Sequence, residues 1–328
     1  MSLNRAKRLV KRLERRVHAP VYRELEAQRT AIGRVLSNQV KAMERPSLRD
    51  VEFKIYSQWG MDGILQYLTN ALPLENKVFV EFGVEDYREA NTRFLLENDN
   101  WSGLVMDGDE ENIREIKRSR LHWKFDLTAK RCFITRENID AVLRNYIEEN
   151  GFAGDIGVLG IDIDGNDYYI LDSIKSVTPI ILVCEYNWIF GNKRQVSIPY
   201  DPRFQRRKAH YSNLYWGASI RALFTKAAEK GYRYVGCTSG GNDAVFVRSD
   251  YADEYISHLI TTPEKSFHEL KTKETRDRKG HLTFADRRAR RETIKDMEVF
   301  DTESGEMITL EEIFRQDHPT VKEERYGR

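Results

Sequence analysis

Two almost entirely apolar segments, 156–163 and 180–184, constrain the fold of this chain most strongly. Strands without a polar face suit a parallel sheet that is covered by helices on both sides, since neither face of such a sheet meets water. Shorter segments that read as strands lie at 78–82, 101–107, 232–236 and 243–248, and helical patterns separate most of them. This alternation predicts an α/β fold with a doubly wound, mostly parallel, Rossmann-like sheet.

The charge balance and the cysteine content exclude several classes of protein. The chain has 328 residues with 53 Lys and Arg against 52 Asp and Glu, and a net charge of +1 argues against nucleic-acid binding through global charge. The sequence contains no run of 18 apolar residues, so it predicts no transmembrane segment. The basic N-terminus lacks the apolar core of a signal peptide. The three cysteines lie far apart and form no CxxC pair, which argues against a disulfide framework and against a zinc site made of thiolates. We therefore expect a cytoplasmic protein.

Composition divides the chain into three predicted parts. Residues 1–48 read as basic amphipathic helices that Pro20 interrupts, 49–250 as the Rossmann-like domain, and 251–328 as a charged extension with a hairpin about Ser304-Gly305. The basic helices could dock on the domain, pair with a second copy in a homo-oligomer, or make peripheral contact with an anionic membrane. We favour docking or self-association, because short amphipathic helices usually bury their apolar stripe against protein.

Acidic residues follow several predicted strands, at the edge where parallel sheets bind ligands. Glu81, Gly83 and Glu85 follow the first strand, and Asp107 and Gly108 follow the second. The glycine permits a tight turn, and Asp107 is placed to accept hydrogen bonds from ribose hydroxyls. The first loop lacks the GxGxxG pattern that cradles a pyrophosphate, and its carboxylates repel phosphate, so the site suits a cationic cofactor.

A second group of oxygen ligands follows the fourth and fifth strands. These hard donors suit Mg²⁺, which could bind two acceptor hydroxyls and lower the pKa of the attacking one. The alternative is that Asp162 and Asp164 only cap the following helix and line a solvated cleft. The candidate ligands are Asp162, Asp164, Asp167, Glu185 and Asn187.

The long segment 188–216 predicts a substrate loop, since loops of this length in a compact domain are commonly functional. Its aromatic and basic residues suit a sugar ring that bears a phosphate or carboxylate. His210 is its only histidine and could act as general base, although a solvated surface histidine is an equal alternative. The candidate substrate-binding residues, including one that precedes the segment, are Tyr186, Arg203, Arg206, Tyr211, Tyr215 and Trp216.

Three motifs carry a resemblance to a known family. They are Ser57-Gln58-Trp59-Gly60-Met61-Asp62-Gly63, Val80-Glu81-Phe82-Gly83-Val84 and Ile161-Asp162-Ile163-Asp164-Gly165-Asn166-Asp167. In order and spacing, residues 50–250 resemble the FkbM-type branch of class I S-adenosylmethionine-dependent methyltransferases. The resemblance implies a seven-stranded sheet with the last strand antiparallel, S-adenosylmethionine as cofactor, and O-methylation of a sugar or polyketide hydroxyl.

The resemblance also implies roles for individual residues. Glu81 and Gly83 would form the first cofactor motif, in which Glu85 takes a later position usually held by glycine. Asp107 would bind the ribose. Asp126, expected after the third strand, would lie near the adenine. Asp162 and Asp164 would lie at the methyl-transfer end.

Three functional hypotheses follow. The leading one is an S-adenosylmethionine-dependent O-methyltransferase, with or without the assistance of a metal ion, that acts on a sugar, nucleotide-sugar or glycan acceptor. The second is a glycosyltransferase in which Asp162-Ile163-Asp164 binds a metal and a nucleotide-sugar diphosphate. The third is a non-catalytic scaffold that keeps the sheet but has lost the cofactor site at Glu85 and Tyr87.

Overall fold

The computed structural model describes residues 3–152 and 155–317. The strands are β1 Val78–Phe82, β2 Ser102–Asp107, β3 Leu127–Arg131, β4 Val158–Ile161, β5 Ile181–Glu185, β6 Val196–Ser197, β7 Tyr232–Cys237, β8 Asp243–Arg248, β9 Glu298–Asp301 and β10 Met307–Thr309. The helices are α1 Leu3–Lys41, α2 Met61–Ala71, α3 Arg93–Asp99, α4 Glu110–Arg118, α5 Arg120–Lys124, α6 Ile139–Asn150, α7 Asp167–Ser173, α8 Arg206–Ala209, α9 Ile220–Glu229, α10 Ser249–Tyr255, α11 Pro263–Ser266, α12 Arg287–Ile294 and α13 Leu310–Asp317.

The central sheet has seven strands in the order β3-β2-β1-β4-β5-β8-β7. Strands β1 to β5 pair in parallel, whereas β8 runs antiparallel to both β5 and β7. Every residue of β1, β4 and β5 is buried, as expected for strands with helices on both faces. The predicted α/β class and doubly wound sheet are confirmed, and the single antiparallel strand is the one that the resemblance implied.

The N-terminal segment corrects one prediction. We expected Pro20 to end a first helix, but α1 runs through Pro20 as one helix of 39 residues. A proline within a helix removes only one backbone hydrogen bond, and the helical turns on either side continue. The second half of α1 also packs against α2 and α3: Ser37 donates to Gln66, and a Cβ at Gly33 would come within 2.6 Å of the Phe94 ring.

A second, three-stranded sheet joins the C-terminal segment to the 188–216 segment. Strand β9 pairs antiparallel with both β10 and β6. Arg194 reinforces this junction, with Nη2 2.6 Å from Oδ2 of Asp301. The segment is therefore anchored, because its strand β6 shares a sheet with β9. The last residues of the predicted extension, 318–328, lie outside the described residues.

Within residues 3–152 and 155–317, no helix combines the length and apolar character that crossing a membrane requires.

Candidate active site

A cavity of about 540 Å³ opens at the carboxyl ends of β1, β2, β4 and β5. The strand order reverses between β1 and β4, and such reversal points are where open α/β sheets bind ligands. The volume lies within the range of small-molecule sites. The structure brings nine of the predicted site residues to its wall: Glu81, Gly83, Glu85, Asp107, Gly108, Asp162, Asp164, Glu185 and Arg206.

The Ser57–Gly63 motif shapes one side of this cavity through a buried carboxylate. Oδ2 of Asp62 accepts from the main-chain N–H groups of Ile55 (2.8 Å), Tyr56 (2.9 Å) and Ser57 (2.7 Å). This carboxylate holds the loop before α2 in place. As a result Gln58 reaches the cavity wall, where its Oε1 accepts from Nδ2 of Asn242 at 3.0 Å.

The loop after β1 turns at Gly83, which has φ +70°. A Cβ there would stand 1.6 Å from the carbonyl oxygen of Asp162, so only glycine fits. Glu81 is buried and holds the far end of the loop, because its carboxylate accepts from the main-chain N–H groups of Asn91 (2.8 Å) and Thr92 (3.0 Å). Tyr87 also has positive φ, but its side chain is buried outside the cavity wall, so it takes no volume from the cavity.

Asp107, at the end of β2, is held in a fixed orientation by three donors. Its Oδ2 accepts from the main-chain N–H of Glu85 (3.0 Å). Its Oδ1 accepts from the N–H of Asp109 (2.7 Å) and from Nδ2 of Asn112 (3.1 Å). The carboxylate still lines the cavity, and carboxylate oxygens can accept more than one hydrogen bond each.

The prediction for Asp126 is wrong. This residue precedes β3 instead of following it, so the exposed Asp126 lies at the opposite edge of the sheet from the cavity. The error came from placing the strand too early in a stretch that carries few apolar residues. The residues that follow β3 and line the cavity are Cys132, Phe133 and Ile134. Phe133 is 49% exposed beside Gly108, a position where an aromatic ring can stack on a flat ligand.

Four carboxylates meet at the cavity where β4 and β5 end and β8 begins: Asp162, Asp164, Glu185 and Asp243. Ligand oxygens of the first three lie within 4.8 Å of one another. Burial, together with Asp164 and Asp243, raises the pKa of Asp162 well above its usual range. Burial and the neighbouring Asp162 raise the pKa of Glu185 in the same way. Oxygens of the Asp162 and Glu185 carboxyls lie within 4.8 Å of each other, and repulsion between two buried negative charges at this separation favours a proton on one of them.

Two further features define this acidic corner. Burial, and the charge of Glu81, raise the pKa of Asp243 to about 7. Oε2 of Glu185 is buried and has no hydrogen-bond partner in the described part of the chain. Arg206 from α8 is the cation of the corner: its Nη1 donates to Oδ1 of Asp164, and its guanidinium lies 4.6 Å from the Trp216 ring centroid.

Two of the predicted metal ligands serve the fold instead. Both carboxylate oxygens of Asp167 accept main-chain N–H groups, from Ile163 and Gly165 at 2.9 Å, so this residue holds the loop after β4. Asn187 is fully buried, and its Nδ2 donates to the carbonyls of Leu214 and Trp216 at 2.9 Å. Neither side chain lines the cavity.

Most of the predicted substrate-binding residues also lie away from the cavity wall. Tyr186, Tyr215 and Trp216 are buried in the core around the 188–216 segment. His210 stacks on Tyr211 with ring centroids 4.3 Å apart, and its Nδ1 is 2.7 Å from Oγ of Ser212. Burial and Arg278 lower the pKa of His210, but it does not reach the cavity. Arg203 is exposed outside the cavity wall.

Sequence reasoning missed Gln58, Phe133 and Asp243 as cavity residues. Asp243 had a usable signal, because it begins the strand after the turn-rich segment 238–242. An antiparallel strand starts at the edge where its parallel neighbours end, and this places its first residue beside the ligand site. Phe133 could be predicted only from the correct end of β3, because it follows the last residue of that strand, Arg131, by two positions.

Comparisons with known proteins give only low similarities. No family model matches the chain, and no curated protein matches it. Among solved structures, the CurJ carbon methyltransferase is similar over 58% of this chain and 55% of its own length, with 11% identity and a TM-score of 0.36. A methyltransferase from Clostridium acetobutylicum ATCC 824 that depends on S-adenosylmethionine matches over 55% and 87%, with 7% identity and a TM-score of 0.32.

Human N-acetylserotonin methyltransferase in complex with SAM is similar over 57% of this chain and 55% of its own, with 13% identity and a TM-score of 0.31. The chain therefore spans about half of the length of two of these three proteins. At these identities and TM-scores, the similarities assign neither a family nor an activity to this chain.

Proposed function

We propose that this protein is an S-adenosylmethionine-dependent methyltransferase that methylates a hydroxyl group of a carbohydrate, nucleotide-sugar or glycan acceptor. The observation that carries the proposal is the acid-lined cavity at the point where the strand order reverses. One end of this cavity offers Asp107 and Phe133, which suit a nucleoside. The other end offers partly protonated carboxyls, which suit a hydroxyl acceptor.

The cofactor end of the cavity fits a nucleoside that carries positive charge. We assign the ribose hydroxyls to Asp107 and the adenine to the surface between Gly108 and Phe133. When bound, S-adenosylmethionine supplies a methyl group on a cationic sulfur, which keeps the electron pair of the broken carbon–sulfur bond while the acceptor oxygen gains the methyl. Carboxylates along the wall favour that positive charge.

The acceptor end supplies a site for the proton that a hydroxyl loses on methylation. A general base works best when its pKa is near the working pH, and burial moves the carboxyls of Asp162, Glu185 and Asp243 upward toward that range. We assign the proton-accepting role to Asp162, which lies between Asp164 and Glu185 at the cavity wall. Arg206 would position Asp164 through their ion pair.

We also propose that Asp162, Asp164 and Glu185 can hold a divalent cation such as Mg²⁺. Their clustered oxygens and the unpartnered Oε2 of Glu185 support the proposal. Such a cation would act as a Lewis acid on the acceptor hydroxyl. Because burial raises the pKa of Asp162 and Glu185, cation binding should displace protons from these two carboxyls, and Mg²⁺ titration in two buffers of different ionisation enthalpy measures that release. Glu185→Gln should abolish the signal, and absence of both binding and proton release in the natural protein would refute the metal proposal.

The two alternative functions are less well supported. The glycosyltransferase alternative places the diphosphate of a nucleotide sugar beside Asp162 and Glu185, and these carboxylates would repel it unless a cation lay between them. A scaffold with a degraded cofactor site should have a filled or collapsed cavity. Here the cavity stays open, because Tyr87 turns its side chain out of it.

The decisive test is calorimetric titration with S-adenosylhomocysteine. Asp107→Ala should weaken binding about ten- to a hundredfold, since a charged hydrogen bond contributes about 1.5–3 kcal/mol and each 1.4 kcal/mol is a factor of ten. Asp126→Ala is the matched control and should bind normally, because it lies at the opposite edge of the sheet. Failure of the natural, folded protein to bind would refute the proposed function.

A second variant separates binding from chemistry. Asp162→Asn should bind the cofactor normally but lose turnover, since the amide cannot accept the acceptor's proton. Methyl transfer to a panel of sugars and nucleotide sugars measures this. Turnover at the natural rate would contradict the role of Asp162.

The self-association of the N-terminal helix also stays a proposal. The face of α1 that points away from α2 and α3 exposes Val21, Leu25, Ile32 and Val35, each more than half exposed. Their spacing of three, four or seven residues is that of a coiled-coil seam, and a second copy of α1 presents the same seam. Light scattering should therefore give a dimer, and Ile32→Glu should give a monomer. Leu282→Glu is the control: it changes an exposed leucine outside α1 and should leave the dimer intact.

A further inference from the structure

A second cavity, of about 570 Å³, lies on the other side of the loop that follows β1. One wall of this groove is α1, and the other is the end of α4 together with α5. Its floor is Asp86, Tyr87 and Arg88, whereas the adjoining residues Gly83 to Glu85 line the first cavity. The two cavities share no lining residue, so the groove is separate from the proposed active site.

The groove is basic. Seven cationic side chains line it against four carboxylates, which leaves a net charge of +3: Arg23, Arg34, Arg88, Arg93, Arg118, Arg120 and Lys124 against Glu26, Asp86, Glu97 and Glu115. This charge contrasts with the carboxylates that line the first cavity. The groove is therefore the more favourable of the two cavities for an anion.

The acidic residues of the groove already have partners. The buried Arg93 forms ion pairs with two of them: its Nη2 lies 3.0 Å from a carboxylate oxygen of Glu26, and its Nε lies 2.8 Å from one of Glu97. Arg88 lies 3.2 Å from Asp86. The carboxylates are therefore occupied, and they cannot neutralise the remaining cations of the groove.

Cations on both walls remain without an acidic partner. Among the side chains that the structure describes, no carboxylate lies within ion-pair distance of Arg23 on α1, or of Arg120 and Lys124 on α5. Arg34 bonds only the neutral Asn98, at 3.2 Å. In addition, the buried Oγ of Ser119 has no hydrogen-bond partner in the described part of the chain. A ligand between the walls would meet guanidinium groups from two sides.

We propose that this groove binds a ligand that carries phosphate groups. Guanidinium groups pair with phosphate oxygens through two parallel hydrogen bonds, and several arginines around one groove are typical of phosphate recognition. Cations on opposite walls favour a ligand with more than one anionic oxygen group. Both a soluble phosphate ester and a phospholipid headgroup present this chemistry, and the experiment below distinguishes them.

The experiment uses the full chain and inorganic pyrophosphate as the probe, titrated by calorimetry at low ionic strength. The double variant Arg23→Gln/Arg120→Gln removes one unpaired charge from each wall, and neither side chain stabilises the fold through an ion pair. We expect binding by the natural protein and at least about tenfold weaker binding by the variant, since each charged hydrogen bond contributes about 1.5–3 kcal/mol. Circular dichroism confirms that the variant is folded.

Lys117→Gln is the matched control. Lys117 lies one residue before Arg118 on α4, is exposed and does not line the groove. Its loss removes one charge outside the groove, so it is compared with the single variants Arg23→Gln and Arg120→Gln, which each remove one charge inside it. Equal weakening by this control would mean that pyrophosphate senses only overall charge, and would overturn the proposal. Absence of binding to both pyrophosphate and vesicles would also overturn it.

A second measurement identifies the source of the phosphate. Cosedimentation compares phosphatidylcholine vesicles with vesicles that contain phosphatidic acid. Binding to the anionic vesicles that the double variant loses, and Lys117→Gln keeps, assigns the groove to a lipid headgroup. Pyrophosphate binding without vesicle binding assigns it to a soluble phosphate ester. If the double variant still binds the anionic vesicles, the vesicles bind outside the groove, and this outcome contradicts the lipid assignment.

Discussion

Asp243→Asn tests the electrostatics of the acidic corner, because it replaces a buried carboxyl by a neutral group of similar shape. Asp243 is 2% exposed, and burial with the charge of Glu81 raises its pKa from 3.8 to about 7. Each factor of ten in proton affinity corresponds to 1.36 kcal/mol, so ionising Asp243 costs about 4 kcal/mol more in the folded than in the unfolded chain.

The sign of the pH dependence follows from the raised pKa. The folded state binds the proton more tightly, so the contribution of Asp243 to stability is complete below pH 3.8 and is lost as the pH rises to about 7. Asparagine resembles the protonated carboxyl at every pH. The variant should therefore match the natural protein near pH 4 and exceed its unfolding free energy at pH 8, by up to about 4 kcal/mol.

Urea denaturation at pH 4.5 and pH 8, followed by circular dichroism in the presence of a chelator, measures this difference. Asp126→Asn is the control, since that side chain is exposed at the other edge of the sheet. A variant that is less stable than the natural protein at pH 8, or a difference that is the same at both pH values, would refute the reasoning.

Three further substitutions test the architecture of the site. Gly83→Ala should lower the unfolding free energy by more than about 2 kcal/mol, whereas Gly280→Ala, which also has positive φ but no atom near its Cβ, reports the backbone cost alone in the same urea titration. Asp62→Ala leaves three buried N–H donors unpaired and should lower stability by at least about 3 kcal/mol in thermal denaturation, with a smaller loss expected for the asparagine variant. Phe133→Ala should weaken S-adenosylhomocysteine binding in calorimetry while Trp123→Ala, an exposed aromatic outside the cavity, should not.

Apolar patterning was sufficient to predict the central sheet. The fully buried strands β4 and β5 have no polar face, so their sequence admits few other structures. The same rule then placed Asp107, Asp162 and Glu185 at one edge, because the carboxyl ends of parallel strands share an edge. Strand β3 was harder to predict: its burial alternates with exposed residues, and its misplacement moved the adenine prediction to Asp126.

The predictions for the 188–216 segment differ from the structure for a different reason. Tyrosine, tryptophan and arginine occur both in substrate loops and in buried anchors, and composition cannot distinguish these uses. In the structure, Tyr215 and Trp216 pack in the core, and of the substrate-binding residues predicted in this segment Arg206 alone lines the cavity, next to Arg207. The distinction depends on the pairing of β6 with β9, a contact between residues about a hundred positions apart in the chain.

The loop between β1 and α3 contributes Gly83 to Glu85 to the first cavity and Asp86 to Arg88 to the groove, so a change in its conformation would alter both. Glu85 and Tyr87 adopt left-handed backbone conformations, which cost about 1–3 kcal/mol each and persist only where surrounding contacts hold them. Arg93 supplies such contacts from the groove side, through Glu26 of α1 and the carbonyl of Arg88. If a ligand in one cavity changes the conformation of this loop, it changes the affinity of the other cavity, and by reciprocity the two ligands change each other's affinity by the same factor.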